Sequence, residues 1–259
     1  MSPIRFTAAL VRPPSPSVVD GLRAIDGPDP DFDAFVAEHA GYCDALAAAG
    51  MRVEVMEELD AFPDAVFVED AALCVGSHAT VLRPGAPSRA GEADAIVADL
   101  EARFATVARV EDGFVDGGDI LVTSTEVLVG LSARTDRVGV EALAVAVEPA
   151  GLPVRVVETP ADVLHFKTDC AIIDDTTIFS TRRLAVSGCF DGYDVIECPD
   201  GEEAAANLIR VNDRVLMRTG FPKTEAVLRA AGYEVVTVPA DEAARIDGGL
   251  SCMSLRIAI

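Results

Sequence analysis

The 259-residue sequence contains no tryptophan, and aromatic residues make up only 5% of it. Proteins that bind single-stranded nucleic acid stack the bases on aromatic side chains, so this composition is unfavourable for them. Basic residues are also scarce, because 21 Lys and Arg stand against 43 Asp and Glu, a formal net charge of −22. Nucleic acid and anionic membranes both require a positive protein surface. We therefore expect neither as a partner, whereas the acidic balance suits a small cationic ligand.

Long apolar runs and paired cysteines are missing as well. No segment approaches the roughly 20 apolar residues that span a membrane, and no basic-then-apolar leader opens the chain. The six cysteines form no CxxC pair and there are only three histidines, so we expect neither a disulfide framework nor a metal site. This usage is typical of a reduced, cytoplasmic protein. We expect no cofactor, and either a monomer or a homodimer.

The sequence repeats a short pattern in which a helix ends at Ala-Gly and an alternating strand follows. The pattern occurs at residues 49–55 and 150–156, and more loosely at 231–237. Glycine accepts the left-handed conformation that ends many helices, and the alternation predicts a strand. Before the first copy, one predicted helical face carries Phe32, Phe35, Val36, Cys43 and Leu46.

A second recurring element is a polar residue that opens an apolar strand, with another strand directly after it. Its copies begin at Asp70, Asp119, Asp169, Asn207 and Leu250. The spacing of about 40–50 residues is typical of repeat architectures. The last copy lacks a helix, which lies instead behind the N-terminal strand 6–11. Five such units, the last split between the two termini, predict a closed α/β ring without exposed sheet edges. No linker divides the chain, so we expect one domain over residues 1–259.

In a closed ring the strand starts gather at one end of the central axis, so distant residues meet there. We expect this end to collect Asp70, Asp119, Asp169 and Cys252, with Asp64, Glu69, Asp116 and His165 just upstream. Crowded carboxylates repel one another unless a cation offsets them. A guanidinium suits them, because it is planar, permanently charged and donates paired hydrogen bonds to carboxylates. Singly, each residue has an ordinary explanation, such as a turn, a solvated strand edge or a core histidine. Together they predict a thiol-based site.

Six segments, in this order, resemble the dimethylarginine dimethylaminohydrolases, a family of the guanidino-group-modifying (pentein) superfamily. They are Phe62–Asp70, Arg83–Arg89, Asp116–Asp119, Gly130–Thr135, Leu164–Lys167 and Asp247–Cys252. The resemblance covers nearly the whole chain. It implies the pentein fold, a five-bladed α/β propeller of ββαβ repeats. It also implies hydrolysis of asymmetric dimethylarginine and monomethylarginine to citrulline plus dimethylamine or methylamine, through a covalent thiouronium intermediate and without a metal.

The resemblance also implies a role for each matching residue. Cys252 would be the nucleophile and His165 the general acid and base, with Asp116 orienting the imidazole. The expected substrate contacts are Asp70 helped by Glu69 at the guanidinium, Asp64 at the α-ammonium, Arg89 with Arg134 at the α-carboxylate, and the backbone carbonyl of Ile246. The Pro-rich stretch 12–30 is predicted to be either a connecting loop or a lid, with a substrate contact near Pro14.

Three alternatives differ from this interpretation. Arginine deiminases and amidinotransferases belong to the same superfamily, but the deiminases have Asp two residues after the histidine, where this chain has Lys167. That difference favours a methylated substrate. A non-catalytic propeller binding module, as in a ribosome anti-association factor, would not need Cys, His and carboxylates together. A thiol protease would not need an acidic mouth.

Overall fold

The computed structural model describes residues 2–258, in which short strands and helices alternate. The strands are β1 Ala8–Val11, β2 Arg52–Val55, β3 Ala72–Val75, β4 His78–Val81, β5 Val107–Arg109, β6 Ile120–Val122, β7 Val127–Leu131, β8 Val154–Glu158, β9 Cys170–Ile172, β10 Thr177–Ser180, β11 Asp194–Glu197, β12 Ile209–Val211, β13 Arg214–Arg218, β14 Glu234–Val238 and β15 Leu255–Ile257. The α-helices are α1 Phe32–Ala48, α2 Ala90–Ala95, α3 Val97–Glu101, α4 Arg137–Val147, α5 Arg182–Ala185, α6 Pro222–Ala230 and α7 Asp241–Ala244.

The described strands form five three-stranded sheets of one common design. In β3–β4–β5, β6–β7–β8, β9–β10–β11 and β12–β13–β14, the first two strands pair antiparallel. The third strand pairs parallel with the second, and a helical crossover such as α4 or α6 joins these two, as parallel pairing requires. The predicted ββαβ repeat and the five-bladed α/β propeller are confirmed.

The fifth sheet joins the two ends of the chain. Strand β1 pairs antiparallel with β15, with Leu10 opposite Leu255, and parallel with β2. Helix α1 connects β1 to β2. It serves as the helix of the fifth repeat, because within residues 2–258 no helix follows β15. The predicted closure of the ring by the first and last segments is therefore confirmed.

The strands begin later than the sequence pattern predicted. Asp70 and Asp119 lie in short 3₁₀ turns, Val68–Ala71 and Gly117–Asp119. Asp169 and Asn207 directly follow two equivalent turns, Phe166–Thr168 and Glu203–Ala206. Cys252 also precedes its strand, since β15 begins at Leu255. The apolar residues continue the strand pattern, but these polar side chains need partners off the sheet, and a turn supplies them.

Helix α1 packs its buried face on the C-terminal turn that carries Cys252. Its buried side chains are Phe35, His39, Tyr42 and Leu46, whereas Val36, expected on this face, is 41% exposed. The Tyr42 hydroxyl donates to the carbonyl of Leu250 at 2.8 Å and lies 2.7 Å from Ser254 Oγ. One buried phenol thus ties the helix to both sides of the cysteine.

The three Ala-Gly helix ends are confirmed. Gly50, Gly151 and Gly232 have φ of 91°, 75° and 93°, a region where any other residue is strained. Among residues 2–258, no helix is both long and apolar enough to cross a bilayer.

Replacing Tyr42 with phenylalanine should leave the Leu250 carbonyl and the Ser254 hydroxyl short of a buried partner. We expect Tyr42→Phe to lower the free energy of unfolding by about 1–3 kcal/mol, measured by urea denaturation. Tyr193→Phe is the matched control, because Tyr193 is partly exposed and water can replace its contacts with Thr123 and Glu126. Equal losses in the two variants would contradict a special role for Tyr42.

Candidate active site

A cavity of about 230 Å³ collects most of the predicted site residues at one end of the ring. The predicted residues that line it are Asp64, Asp70, Arg89, Arg134, His165, Ile246 and Cys252. They come from five separate segments, as expected of strand starts meeting at an axis. The remaining two predicted residues, Glu69 and Asp116, are buried but do not line this cavity.

Asp116 lies behind the imidazole of His165. Its Oδ2 is 3.1 Å from His165 Nε2, and its Oδ1 accepts the backbone N–H of Gly85 at 2.7 Å. The carboxylate is fully buried, so it has no freedom to turn away from the ring. This geometry is that of a group that orients an imidazole.

Two glycines between Asp116 and Asp119 allow this close approach. A Cβ on Gly118 would lie 2.7 Å from His165 Nδ1 and 3.0 Å from Asp70 Oδ1. A Cβ on Gly117 would lie 1.9 Å from the carbonyl oxygen of Glu69. The backbone of this turn therefore passes directly against the imidazole and the Val68–Ala71 turn, which no larger residue permits.

The charge around His165 favours its imidazolium form. Burial by itself lowers a histidine pKa, but the carboxylates of Asp70, Asp116 and Asp119 outweigh it and raise the pKa of His165 to about 9. At neutral pH the ring therefore carries a proton that it can donate.

Asp70 is held from two sides. Its Oδ2 pairs with Arg89 Nη1, and its Oδ1 accepts the N–H of Gly118 at 2.8 Å. Burial opposes its ionisation, but Arg89, His165 and the Gly118 hydrogen bond prevail and lower the pKa of Asp70 to about 2. Asp70 is therefore a fixed negative charge on the wall of the cavity.

Arg89 has few hydrogen-bond donors left for a ligand. Its Nε and Nη2 donate to the Glu92 carboxylate, and Nη2 also donates to the carbonyls of Phe67 and Asp64 at 2.9 and 3.3 Å. With Nη1 on Asp70, only one N–H of Nη1 remains. The predicted contact of Arg89 with a substrate carboxylate is limited to that hydrogen.

Arg134 and Asp64 are the charged side chains at the cavity with fewer hydrogen-bonded partners. Within residues 2–258, no ion pair engages the Arg134 guanidinium. Asp64 accepts one backbone N–H, from Leu22 at 2.9 Å, and burial raises its pKa. A zwitterionic α-amino acid head suits this pair, since its carboxylate and ammonium each find an opposite charge.

Cys252 lies in the turn before β15, with its side chain 8% exposed at the cavity. Burial, followed by the charges of Glu69 and Asp70, raises the pKa of its thiol to about 11. The raised pKa is not unique, because burial also raises it to about 11 for Cys43 and about 12 for Cys74. What distinguishes Cys252 is the shared cavity with His165 and Asp70.

Glu69 lies beneath Cys252 and faces the opposite side of the ring. Its backbone N–H donates to the Cys252 carbonyl at 3.1 Å. Its Oε1 pairs with Lys167 and Arg256, each at 2.7 Å, and all three side chains line a second cavity on the ring axis. The expected help of Glu69 in binding a guanidinium therefore stays a prediction. Because Glu69 does not line the cavity that Cys252 lines, it could help only through the electrostatic attraction of its charge.

The two other carboxylates expected at this mouth have structural partners. Asp119 receives the hydroxyls of Ser132 at 2.7 Å and Thr135 at 2.6 Å, and the N–H of Phe166 at 2.9 Å. Asp169 pairs with Arg183 and accepts the Thr181 hydroxyl at 2.6 Å. Neither lines the cavity, so the prediction that all the strand starts share it is wrong for these two.

The Pro-rich stretch covers the cavity at a point further along the chain than Pro14. Leu22, Arg23 and Ala24 line the cavity, whereas Pro14 does not. The Leu22 N–H is bound by Asp64 and the Ala24 N–H by Asp247. The stretch therefore lines the site at residues 22–24, and the expected substrate contact near Pro14 stays a prediction.

Sequence reasoning missed two residues that hold this site. Glu92 forms the paired hydrogen bonds with Arg89, and Asn207 contacts the Cys252 turn. Glu92 follows Arg89 by three residues, a helical spacing that could have indicated the pair. The sequence pattern indicates only a strand start at Asn207, and no local signal connects it with Cys252.

One group of side chains has the spacing of a metal site. Ligand atoms of Asp70, Asp116 and His165 lie within 4.8 Å of one another. Each of the three already has a hydrogen-bonded partner. A cation would also have to displace a proton from His165, and the pKa of that imidazole is raised. The donor set fits a hydrogen-bond network better than a metal.

Comparisons with known proteins show the family of this chain. The arginine deiminase family model matches residues 47–212, which defines the class of guanidine-modifying enzymes. A dimethylarginine dimethylaminohydrolase of Pseudomonas aeruginosa is 37% identical over 97% of this chain and 99% of its own. One of Streptomyces coelicolor is 34% identical over 96% of both. The P. aeruginosa structure, a cysteine-to-serine variant complexed with citrulline, superposes with a TM-score of 0.94 at 35% identity, covering 98% of this chain and all of its own. The chain belongs to the dimethylarginine dimethylaminohydrolase family.

The raised pKa of the Cys252 thiol predicts that it reacts slowly with alkylating reagents in the ligand-free protein. With a pKa of about 11, roughly one thiol in ten thousand is ionised at pH 7. We expect the rate of alkylation of Cys252 by iodoacetamide to rise about tenfold per pH unit from pH 7 to 9.5. Peptide mass analysis would separate this residue from the other five cysteines. A plateau in the rate between pH 7 and 8 would contradict the environment described here.

Proposed function

We propose that this protein hydrolyses Nω-methylated arginines to citrulline and methylamine or dimethylamine, with Cys252 as the nucleophile. The observation that carries the proposal is one cavity lined by Cys252, His165 and the ionised Asp70. The cavity offers the substrate a fixed negative charge for its guanidinium, a nucleophile and a proton donor. Family membership supports the same reaction.

The charges of the cavity suggest how the substrate binds. The guanidinium pairs with Asp70 beside the thiol, and the amino acid head binds at Asp64 and Arg134. Arg89 adds its remaining Nη1 hydrogen to the α-carboxylate and holds Asp70 in place. The backbone carbonyl of Ile246 supplies a further acceptor for the ammonium or guanidinium N–H groups.

The first half of the reaction uses the substrate's own charge. The guanidinium brings a positive charge next to Cys252 and offsets the carboxylates that keep the thiol protonated, so the thiol releases its proton to solvent and the thiolate forms when substrate is bound. The thiolate attacks the guanidinium carbon. The imidazolium of His165 protonates the departing methylated amine, and a thiouronium adduct on Cys252 remains.

The second half reverses the role of the imidazole. His165, now neutral, takes a proton from water as the water attacks the thiouronium carbon. The proton of the added hydroxyl passes to the sulfur as the carbon–sulfur bond breaks, so citrulline leaves and the Cys252 thiol is restored. Asp116 keeps the ring oriented through both steps and favours its charged form.

Lys167 supports a methylated substrate over free arginine. The related deiminases grip the unsubstituted guanidine with an Asp at this position, whereas Lys167 is paired with Glu69 at 2.7 Å and lines the other cavity. The space beside the guanidinium is therefore free of that carboxylate and can accept methyl groups. Six free cysteines suit a reducing compartment. The cytoplasmic location, single-domain organisation and oligomeric state stay predictions.

Removing the imidazole should separate the two half-reactions. We expect His165→Gly to turn over substrate at least about 100-fold more slowly, because general acid–base catalysis contributes that much. Any adduct that forms should remain on the protein. Intact-mass analysis after incubation with methylarginine would detect the adduct. The matched control is Cys252→Ser, which should form no such adduct. Rapid turnover by His165→Gly would contradict the assigned base, and citrulline production by Cys252→Ser would contradict the nucleophile.

A panel of N-substituted arginines would test the substrate class. We expect kcat/KM for monomethylarginine and asymmetric dimethylarginine to exceed that for arginine by about tenfold or more, because small groups in a fitted pocket give discrimination of this size. Citrulline formation is the measurement, and symmetric dimethylarginine serves as the control for methyl placement. A preference for arginine would favour the deiminase alternative, and transfer to an added amine would favour the amidinotransferase.

A further inference from the structure

The 3₁₀ turns before the inner strands are connected by side chains that bind the next turn of the ring. Asp70 Oδ1 accepts the N–H of Gly118 at 2.8 Å. Asp119 Oδ1 accepts the N–H of Phe166 at 2.9 Å. In each case a carboxylate from one blade receives a backbone N–H from the turn of the following blade. The repeated geometry shows how the blades are held in register around the axis.

Asn207 occupies the same place before the last blade. Its Oδ1 accepts the N–H of Ser251 at 3.0 Å, the residue directly before Cys252. Gly249 packs flat on its carboxamide, since a Cβ there would lie 2.4 Å from the Asn207 Cγ. Asp169 departs from the pattern, because its carboxylate binds Arg183 and Thr181 within its own blade.

Asn207 differs from Asp70 and Asp119 in having a donor as well as an acceptor. Its Nδ2 lies 3.8 Å from Cys252 Sγ, in hydrogen-bonding geometry. An aspartate would accept the Ser251 N–H equally well. It would also add a negative charge beside the Cys252 sulfur, whose ionisation the charges of Glu69 and Asp70 already oppose. The amide avoids that charge and offers the sulfur an N–H.

We propose that Asn207 is a positioning residue for the nucleophile: its carboxamide oxygen holds Ser251 in the turn, while its amide N–H donates to the Cys252 sulfur and stabilises the thiolate. The proposal rests on Cys252 being the nucleophile of the function proposed above. Other charged groups around the sulfur act on its ionisation too, namely Glu69, Asp70, Asp247, Arg89, His165 and Arg256.

The native protein offers a direct spectroscopic test. The sequence contains no glutamine and only two asparagines, Asn207 and Asn212, so a ¹⁵N-correlation spectrum should contain two side-chain amide pairs. Asn212 donates to the Ala49 carbonyl and accepts the N–H of Phe6, which makes it an internal reference. At pH 7 we expect the Asn207 amide proton resonance to move upfield in Cys252→Ala, which removes its acceptor, and the Asn212 pair to stay in place.

Both proteins are compared at one pH, at which His165 is protonated. An Asn207 amide pair at the same position with and without the Cys252 sulfur would overturn the proposed N–H···S contact. This reading needs no substrate. It therefore separates failure of the Asn207 proposal from failure of the proposed function, which citrulline production tests.

Substitution gives the second test. Asn207→Asp keeps the acceptor for Ser251 and replaces the donor with a charge, so alkylation of Cys252 at pH 8–9 should fall about tenfold or more. Asn212→Asp, the same change at the other asparagine, should stay within about twofold of the wild-type rate. Turnover of methylarginine by Asn207→Asp should fall in kcat, with KM changed by less than about threefold.

Equal alkylation rates for Asn207→Asp, Asn212→Asp and wild type would overturn the donor role. Thermal unfolding checks that each variant is folded. If Asn207→Asp does not fold, Asn207→Ser decides, because its short hydroxyl cannot reach both Ser251 and the sulfur: slower alkylation supports the proposal, and the wild-type rate contradicts it. The amide comparison between the unsubstituted protein and Cys252→Ala decides independently of every Asn207 variant.

Discussion

The antiparallel pairing of β1 with β15 is the interaction on which the site depends. It closes the ring and brings the last turn of the chain beside the Val68–Ala71 turn, where the Glu69 N–H binds the Cys252 carbonyl at 3.1 Å. Cys252 and Asp70, the proposed nucleophile and the proposed guanidinium-binding carboxylate, come from blades far apart in sequence. Without closure, Asp70 and Cys252 would lie at the two open ends of a sheet array. Tyr42 strengthens the closure because its helix belongs to the blade that both termini share.

Around this junction, buried charges are arranged in opposed pairs. Asp70 is matched by Arg89, Asp116 by His165, and Glu69 by Lys167 and Arg256. Buried ion pairs contribute little net stability because desolvation opposes their attraction, so their value here is in position. They hold one carboxylate ionised and one imidazole protonated next to a thiol that is neutral. The ionised Asp70 on the cavity wall suits a cationic ligand, in line with the proposed guanidinium substrate.

The features that could be predicted depend on residues close together in the sequence, and the features that could not be predicted depend on contacts between distant segments. The repeat, the helix caps at Gly50, Gly151 and Gly232 and the ring closure were all predictable, because periodicity and glycine placement act over a few residues. The shared cavity of His165 and Cys252 was predictable only because a repeat topology defines where strand starts meet. Asp119 and Asp169 were placed at the mouth by the same reasoning, and they turned instead to hydroxyls and to Arg183. Polar residues at equivalent positions look alike in sequence, but their partners come from other segments.

The sequence by itself determined the order of the blades, the helix ends at the Ala-Gly pairs and the set of residue types able to carry thiol chemistry. These follow from local conformational preference and from the alternation of apolar and polar side chains. Only the tertiary structure decided which carboxylates line the cavity, that Arg89 is committed to Glu92 and Asp70, and that Asn207 lies against Cys252. Such choices depend on which donors and acceptors packing brings within about 3 Å of each other, and no single segment of the chain contains that information.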